Sequence, residues 1–257
     1  MNGRRRARTG FTSRAYGCAL LLAALGALSG CSTKLPPPGT PPQERFQWAL
    51  DKYNQGKYGD AAKGFVDFVQ RAPTSPLADS ALYLVGESYL RGGDPLRAAT
   101  EFNRFASTRP NSPLADDAQL GACRAYWDLS PSLARDQEYT RQAIEECTRM
   151  LQFFPASPRR AEADSVRREA RDKMAAKQYR VGKYYFDQRF YESANIYFEV
   201  VVEEYPDAPV MPDVLATLYE SYRRLGFNAE AEHAKQRLLT EHPDSKAAQK
   251  FAPADES

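Results

Sequence analysis

The sequence predicts an all-α fold built as an array of about five helical hairpins, and three observations carry that reading. "PTSPLADSA" (73–81) and "PNSPLADDA" (110–118) agree at seven of nine positions, 37 residues apart. An alanine stands twelve residues before each of five prolines: Ala61 and Pro73, Ala98 and Pro110, Ala143 and Pro155, Ala194 and Pro206, Ala231 and Pro243. Four residues after these alanines come Phe65, Phe102, Cys147, Phe198 and Lys235. Twelve residues before two of them come Gly86 and Gly182, each followed three later by a tyrosine, Tyr89 and Tyr185. Self-similarity at a period of a few tens of residues is the signature of stacked supersecondary units.

Each position has a physical reason. Two helices of one hairpin cross closely, so small residues are needed at the crossing, and an aromatic one turn after the alanine fills space on the same face. The proline ends the second helix, because the residue before it is pushed out of α geometry. The repeated "SPLAD" then opens the next helix, with Ser75 or Ser112 expected as cap and Pro76 or Pro113 expected at the first helical position. Gly-x-x-Tyr, Ala-x-x-x-Phe and Pro together resemble the tetratricopeptide (TPR) pattern. The expectation is a superhelical array of about five TPR-like helical hairpins over residues 44–245, with repeats ending near 73, 110, 155, 206 and 243.

The elements follow in order. Residues 1–30 carry Arg4, Arg5, Arg6, Arg8 and Arg14 without an acid, then an apolar run of about 16 residues from Ala15, too short for a span of roughly 20. This reads as a cleavable export signal. It closes on "LSGC" (28–31), which resembles a bacterial lipoprotein lipobox and implies acylation of Cys31, with Ser32 implying sorting to the outer membrane. The alternatives are an ordinary signal with a chance cysteine, or twin-arginine export. Residues 31–43 are the lipidated cysteine and a Pro-rich tether, "STKLPPPGTPPQ", expected to exclude helix, pack against nothing and reach roughly 37 Å. The whole chain has 35 basic and 33 acidic residues, but all five basic residues of 1–30 leave with the signal, so the mature chain is net −3. That gives no argument for nucleic-acid binding. Cys123 and Cys147 are expected as small buried hydrophobes, a bridge between them being the alternative. Residues 127–137 read as an insertion in the third repeat. Residues 159–189 hold no proline and one glycine, and read mostly as a single long helix, with a break near Lys177 as the alternative. Residues 246–257 are expected to be a disordered tail.

His233 and His242 lack metal-spaced partners and read as surface residues, and no phosphate loop occurs. The expectation is a protein that is not an enzyme, with no metal, no cofactor and no catalytic residue. A TPR-like array offers a groove lined by the first helix of each hairpin. On the helix of repeat two, Leu82, Val85, Gly86 and Tyr89 form the core face, and Tyr83, Glu87 and Arg91 the other. The corresponding face holds Phe46, Leu50, Tyr53 and Asn54 in repeat one, and Ala122 and Tyr126 in repeat three. Tyr53, Asn54, Tyr83, Glu87, Arg91 and Tyr126 are the candidate peptide-binding residues. The alternative is that the aromatics only pack repeat against repeat.

Lipobox, Pro-rich tether and five TPR-like repeats together resemble the BamD family of outer membrane β-barrel assembly lipoproteins. "YLRGGDPLRAATEFNRFASTRPNSP" (89–113), the Arg135-Asp136 insertion feeding "YTRQAIEECTRMLQFFPASP" (139–158) and "YRVGKYYFDQRFYESANIYFEVVVEEYPD" (179–207) carry the likeness. Cys147 departs from it, where an aromatic is usual, and so does Lys235, which implies a looser fifth hairpin. The resemblance implies a lipid-anchored scaffold at the cell outer membrane, facing the periplasm. Its implied partners are a barrel-forming BamA-like subunit, other assembly lipoproteins and unfolded outer-membrane protein precursors. The competing expectation is another outer-membrane TPR lipoprotein, a scaffold for cell-wall or motility machinery.

Overall fold

The computed structural model describes residues 35–251, which are helical throughout apart from turns and loops. Cys31 and the whole expected signal lie outside the described residues. Five hairpins follow one another: α1 (Pro42–Asn54) with α2 (Tyr58–Arg71), α3 (Ala78–Arg91) with α4 (Pro95–Thr108), α5 (Ala115–Asp128) with α6 (Glu138–Phe153), α7 (Arg160–Asp187) with α8 (Tyr191–Glu204), and α9 (Met211–Leu225) with α10 (Asn228–Glu241). A short α11 (Lys246–Gln249) closes the array. Each helix packs on the next, and the first helices also touch in series, α3 on α5, α5 on α7 and α7 on α9.

The five prolines act as expected. Ala72, Arg109, Phe154, Tyr205 and His242 each end a second helix one residue before Pro73, Pro110, Pro155, Pro206 and Pro243, with φ between −124° and −137° and ψ of 48° to 58°. The five alanines of the pattern, Ala61, Ala98, Ala143, Ala194 and Ala231, are fully buried. The corners differ from expectation. Helices α3 and α5 begin at Ala78 and Ala115, two residues later than the sequence suggests. The Ala78 and Ala115 amides donate to the carbonyls of Ser75 and Ser112 at 2.9 and 3.0 Å, so Pro76 and Pro113 occupy a turn and not the first helical position. The serine hydroxyls do accept, but from the amides of Leu77 and Leu114, inside that turn.

Two further expectations are corrected. The tether is not free as far as residue 43. The Arg45 guanidinium, 3% exposed, donates to the carbonyls of Pro36, Pro37 and Thr40 and to Asp67 at 2.5 Å. Residues 36–40 therefore wrap a buried cation, which needs such partners because an unpaired one would cost several kcal/mol. Pro42 opens α1, where its missing N–H costs nothing. The tail is not loose from residue 246 either. Ser245 caps α11, Ala247 and Ala248 are buried, and Phe251 meets Tyr219 edge-on with ring centroids 4.9 Å apart.

The long helix is continuous through Lys177, and its length has a use. Lys173 Nζ donates to Ser130 Oγ at 2.6 Å, and Lys177 Nζ to the Arg135 carbonyl at 2.6 Å. Together with Gln137, which donates to the carbonyls of Ser132 and Arg135, they hold the insertion of the third hairpin onto α7. Burial pushes the Lys173 ammonium below its ordinary pKa.

Cys123 and Cys147 are bridged, with Cα atoms 4.9 Å apart, joining α5 to α6. The expectation of two free thiols is thus overturned, although both are fully buried as expected. The reason lies in the repeat register. Cys123 holds the place of Gly86, and Cys147 that of Phe102. A Cβ built on Gly86 would come within 2.6 Å of the Phe102 ring, and one built on Gly182 within 2.6 Å of Phe198. The two positions face each other at the helix crossing, so two cysteines there are placed to bond.

Candidate functional site

Four of the six candidate groove residues converge between the first two hairpins. Glu87, with 14% of its side chain exposed, is the hub. It accepts from Tyr83 Oη at 3.3 Å, from Tyr53 Oη at 3.5 Å and from Arg91 Nε at 3.4 Å. The Arg91 guanidinium lies 5.3 Å over the Tyr53 ring, which in turn meets Tyr58 edge-on at 5.5 Å. The inner edge of Tyr83 leans on Phe102 and Phe105 of α4, at 5.7 and 6.4 Å. Tyr83 and Glu87 share a helix face because they are one turn apart, and Tyr53 reaches them from the end of α1.

Burial, and then the Glu87 charge, pushes the Tyr53 phenol up to about 12. The same two causes, in the same order, raise Tyr83. Both phenols thus remain neutral donors. Arg91 is held above its ordinary value, first by Tyr53, and 57% of its side chain is exposed. The cluster is a partly buried carboxylate covered by two half-buried phenols and a cation whose guanidinium is open to solvent.

Asn54, the last residue of α1, is exposed beside Tyr53. Tyr126 is elsewhere. Its hydroxyl accepts from Asn103 Nδ2 of α4 at 3.4 Å, and its ring stacks on Tyr139 of α6 at 6.4 Å. In the repeat register Tyr126 answers to Tyr89, the Gly-x-x-Tyr tyrosine, and not to Tyr83; Cys123 in the glycine's place hid that. Burial, followed by the Glu146 charge, raises its pKa.

Near Tyr126 the structure adds a pocket of about 520 Å³ between α4 and α6 that the sequence reading missed. Asn103, Gln119, Glu146, Arg149, Phe153 and Phe154 are among its lining residues. Gln119 is 3% exposed and donates to the Glu146 carboxylate at 2.7 Å, and Arg149 pairs with the same carboxylate at 2.7 Å. Phe153 is 70% exposed at its rim. The only signal in the sequence is the doublet Phe153-Phe154 before Pro155, in which one aromatic more than the pattern needs is present. Among the described residues no helix is long and apolar enough to cross a membrane, and no cluster of three or more His, Cys, Asp or Glu side chains could hold a metal.

Comparison with known proteins fits this geometry to a family. The family described as YfiO, outer membrane lipoprotein, matches residues 38–238. The outer membrane protein assembly factor BamD of Caulobacter vibrioides is 25% identical over 223 residues, covering 83% of this chain and 71% of that protein. BamD of Xylella fastidiosa strain Temecula1 is 26% identical over 251 residues, covering 92% of this chain and 85% of that protein. Among solved structures, the TPR domain of P58(IPK) overlaps 81% of this chain and 53% of its own at 15% identity, with a TM-score of 0.43, too low to argue from. The matched span takes in all five hairpins but the last turn of α10, and on that breadth the chain belongs to the YfiO family of outer membrane lipoproteins.

Proposed function

We propose that this chain is a lipid-anchored scaffold of the outer membrane β-barrel assembly complex, held to the membrane through Cys31, facing the periplasm and performing no catalysis. It binds a barrel-forming BamA-like subunit and receives unfolded barrel precursors by an extended segment with an aromatic end. Family membership supports the assembly role. One observation carries the peptide-binding part: Tyr53, Tyr83 and Arg91 gather on Glu87 across two hairpins, setting two half-buried phenols beside an exposed guanidinium. A peptide's terminal aromatic would lie against Tyr53 and Tyr83, and its carboxylate would pair with Arg91. Affinity is expected to be modest, since a flexible peptide loses entropy on binding.

The test is photo-crosslinking. A crosslinker at position 83 or 87 is compared with one at 220, because Glu220 holds the register position of Glu87 in the fifth hairpin. Crosslinks to barrel precursors should concentrate at 83 and 87. Equal yields at all three, or yields at 220 alone, would sink the groove assignment. Capture of the intact complex from membranes should bring down a large barrel subunit; cell-wall-linked partners instead would point to the competing scaffold role.

A further inference from the structure

In the repeat register the five crossings hold Ala49 and Phe65, Gly86 and Phe102, Cys123 and Cys147, Gly182 and Phe198, and Tyr219 and Lys235. In the second and fourth, a ring seats on a missing Cβ. In the third, the ring is gone and the bridge takes its place. The third hairpin is also the one whose tight connection is replaced by a longer loop, residues 129–137. The other four connections are two or three residues long. Each has one residue in the left-handed region: Gly56, Gly93, Arg189 or Gly226. A longer loop costs more to close and does not fix the helices' relative register. Both losses fall on one hairpin, and a cross-link between α5 and α6 offsets both.

We infer that Cys123 and Cys147 are a site of thiol oxidation during maturation, performed by a protein disulfide before the third hairpin closes. Both cysteines are fully buried between α5, α6 and α7, with Leu120, Met150 and Ala163 around them. The folded array shields them from a protein oxidant. The step balances as thiol–disulfide exchange. One cysteine loses its proton and attacks a sulfur of the oxidant's disulfide, forming a mixed disulfide and releasing one thiolate. The second cysteine, also deprotonated, attacks the chain's own sulfur in that mixed bond. The Cys123–Cys147 bond forms, the oxidant leaves as a dithiol, and it carries away two electrons and the two protons. The inference rests on the export reading for the presence of such an oxidant, so its test is done in vitro, where the chain's location has no influence.

The full-length chain with Cys18→Ser and Cys31→Ser, which leaves Cys123 and Cys147 as its two thiols, is reduced in denaturant and mixed with a protein-disulfide oxidant either before or after refolding, and the bridge is followed by thiol alkylation and mass. Oxidation added after refolding should be slower by roughly tenfold or more. The refolded dithiol should melt lower than the bridged chain by roughly 5–15 °C. Cys123→Gly with Cys147→Phe should restore the pair of hairpins two and four, and melt above Cys123→Ser with Cys147→Ser whether or not reductant is present. Equal oxidation rates before and after refolding, or equal melting of bridged and dithiol chains, would overturn the inference. A glycine–phenylalanine variant no better than the serine pair would overturn the claim that the bridge replaces ring packing.

Discussion

Hairpins two and five solve one packing problem with opposite side chains. In hairpin two the first helix supplies no side chain, and the second supplies Phe102, whose ring would lie 2.6 Å from a Cβ on Gly86 and 2.7 Å from one on Gly121 of the next hairpin. In hairpin five the first helix supplies Tyr219, 8% exposed, and the second supplies Lys235, whose ammonium stands 5.9 Å over the Tyr219 ring. Arg223 lies over the same ring at 5.7 Å and Phe251 against its edge. Each of these two crossings therefore holds one ring, carried by the second helix in hairpin two and by the first in hairpin five. A ring that seats between two glycines is enclosed on both sides. A ring covered by two cations and the last described residue is at the end of the array, where no further hairpin follows among the described residues and long charged side chains can cover apolar surface while keeping their charges wet. The expectation of a looser fifth hairpin came from reading Lys235 without Tyr219.

The comparison can be broken hardest at Phe102. Phe102→Ala should cost about 3–5 kcal/mol in denaturant unfolding, since two glycine-walled surfaces lose their filler; a loss no larger than that of Lys235→Ala would mean that the crossing does not carry the hairpin. Ala98→Leu comes next. Ala98 is fully buried, and overpacking should cost about 1–3 kcal/mol, read as a lower melting temperature; an unchanged curve would refute the close crossing. Lys235→Ala should cost about 0.5–1 kcal/mol or less, the worth of a partly exposed cation over a ring, and the loss should shrink in Tyr219→Leu, which a double-mutant cycle would measure. The smallest effect sits in the turns. Arg189 is the one non-glycine residue with positive φ among the described residues, at 66°, where hairpins one, two and five have glycine. Arg189→Gly should stabilise by about 0.5–1 kcal/mol; destabilisation would mean that the arginine side chain makes up for its strain.

Half of the Glu87 cluster was legible because it lies within a single helix. Tyr83, Glu87 and Arg91 are one helical turn apart, so their common face follows from the 3.6-residue period. That Tyr53 would reach Glu87 from another hairpin depends on how α1 lies beside α3, which no local spacing encodes. Tyr126 was misplaced for a local reason: with Cys123 standing where the pattern has glycine, the register had no anchor in α5. The pocket at Gln119 and Glu146 was invisible because polar residues in a helix read as surface until a neighbouring helix buries them.

The amino-acid pattern by itself determined the number of hairpins, the ends of their second helices and the small residues at their crossings. Those features follow from backbone sterics at proline and from the absence of a Cβ, which act within a few residues of where they are written. The tertiary structure alone decided what meets across each crossing. It paired Cys123 with Cys147 and Tyr219 with Lys235, folded residues 36–40 around Arg45, and docked Phe251 on α9. Those contacts join residues from 5 to 32 positions apart, through side chains whose burial depends on the whole array. A buried guanidinium has no one-dimensional signature, because what stabilises it is the set of partners that only packing brings within bonding distance.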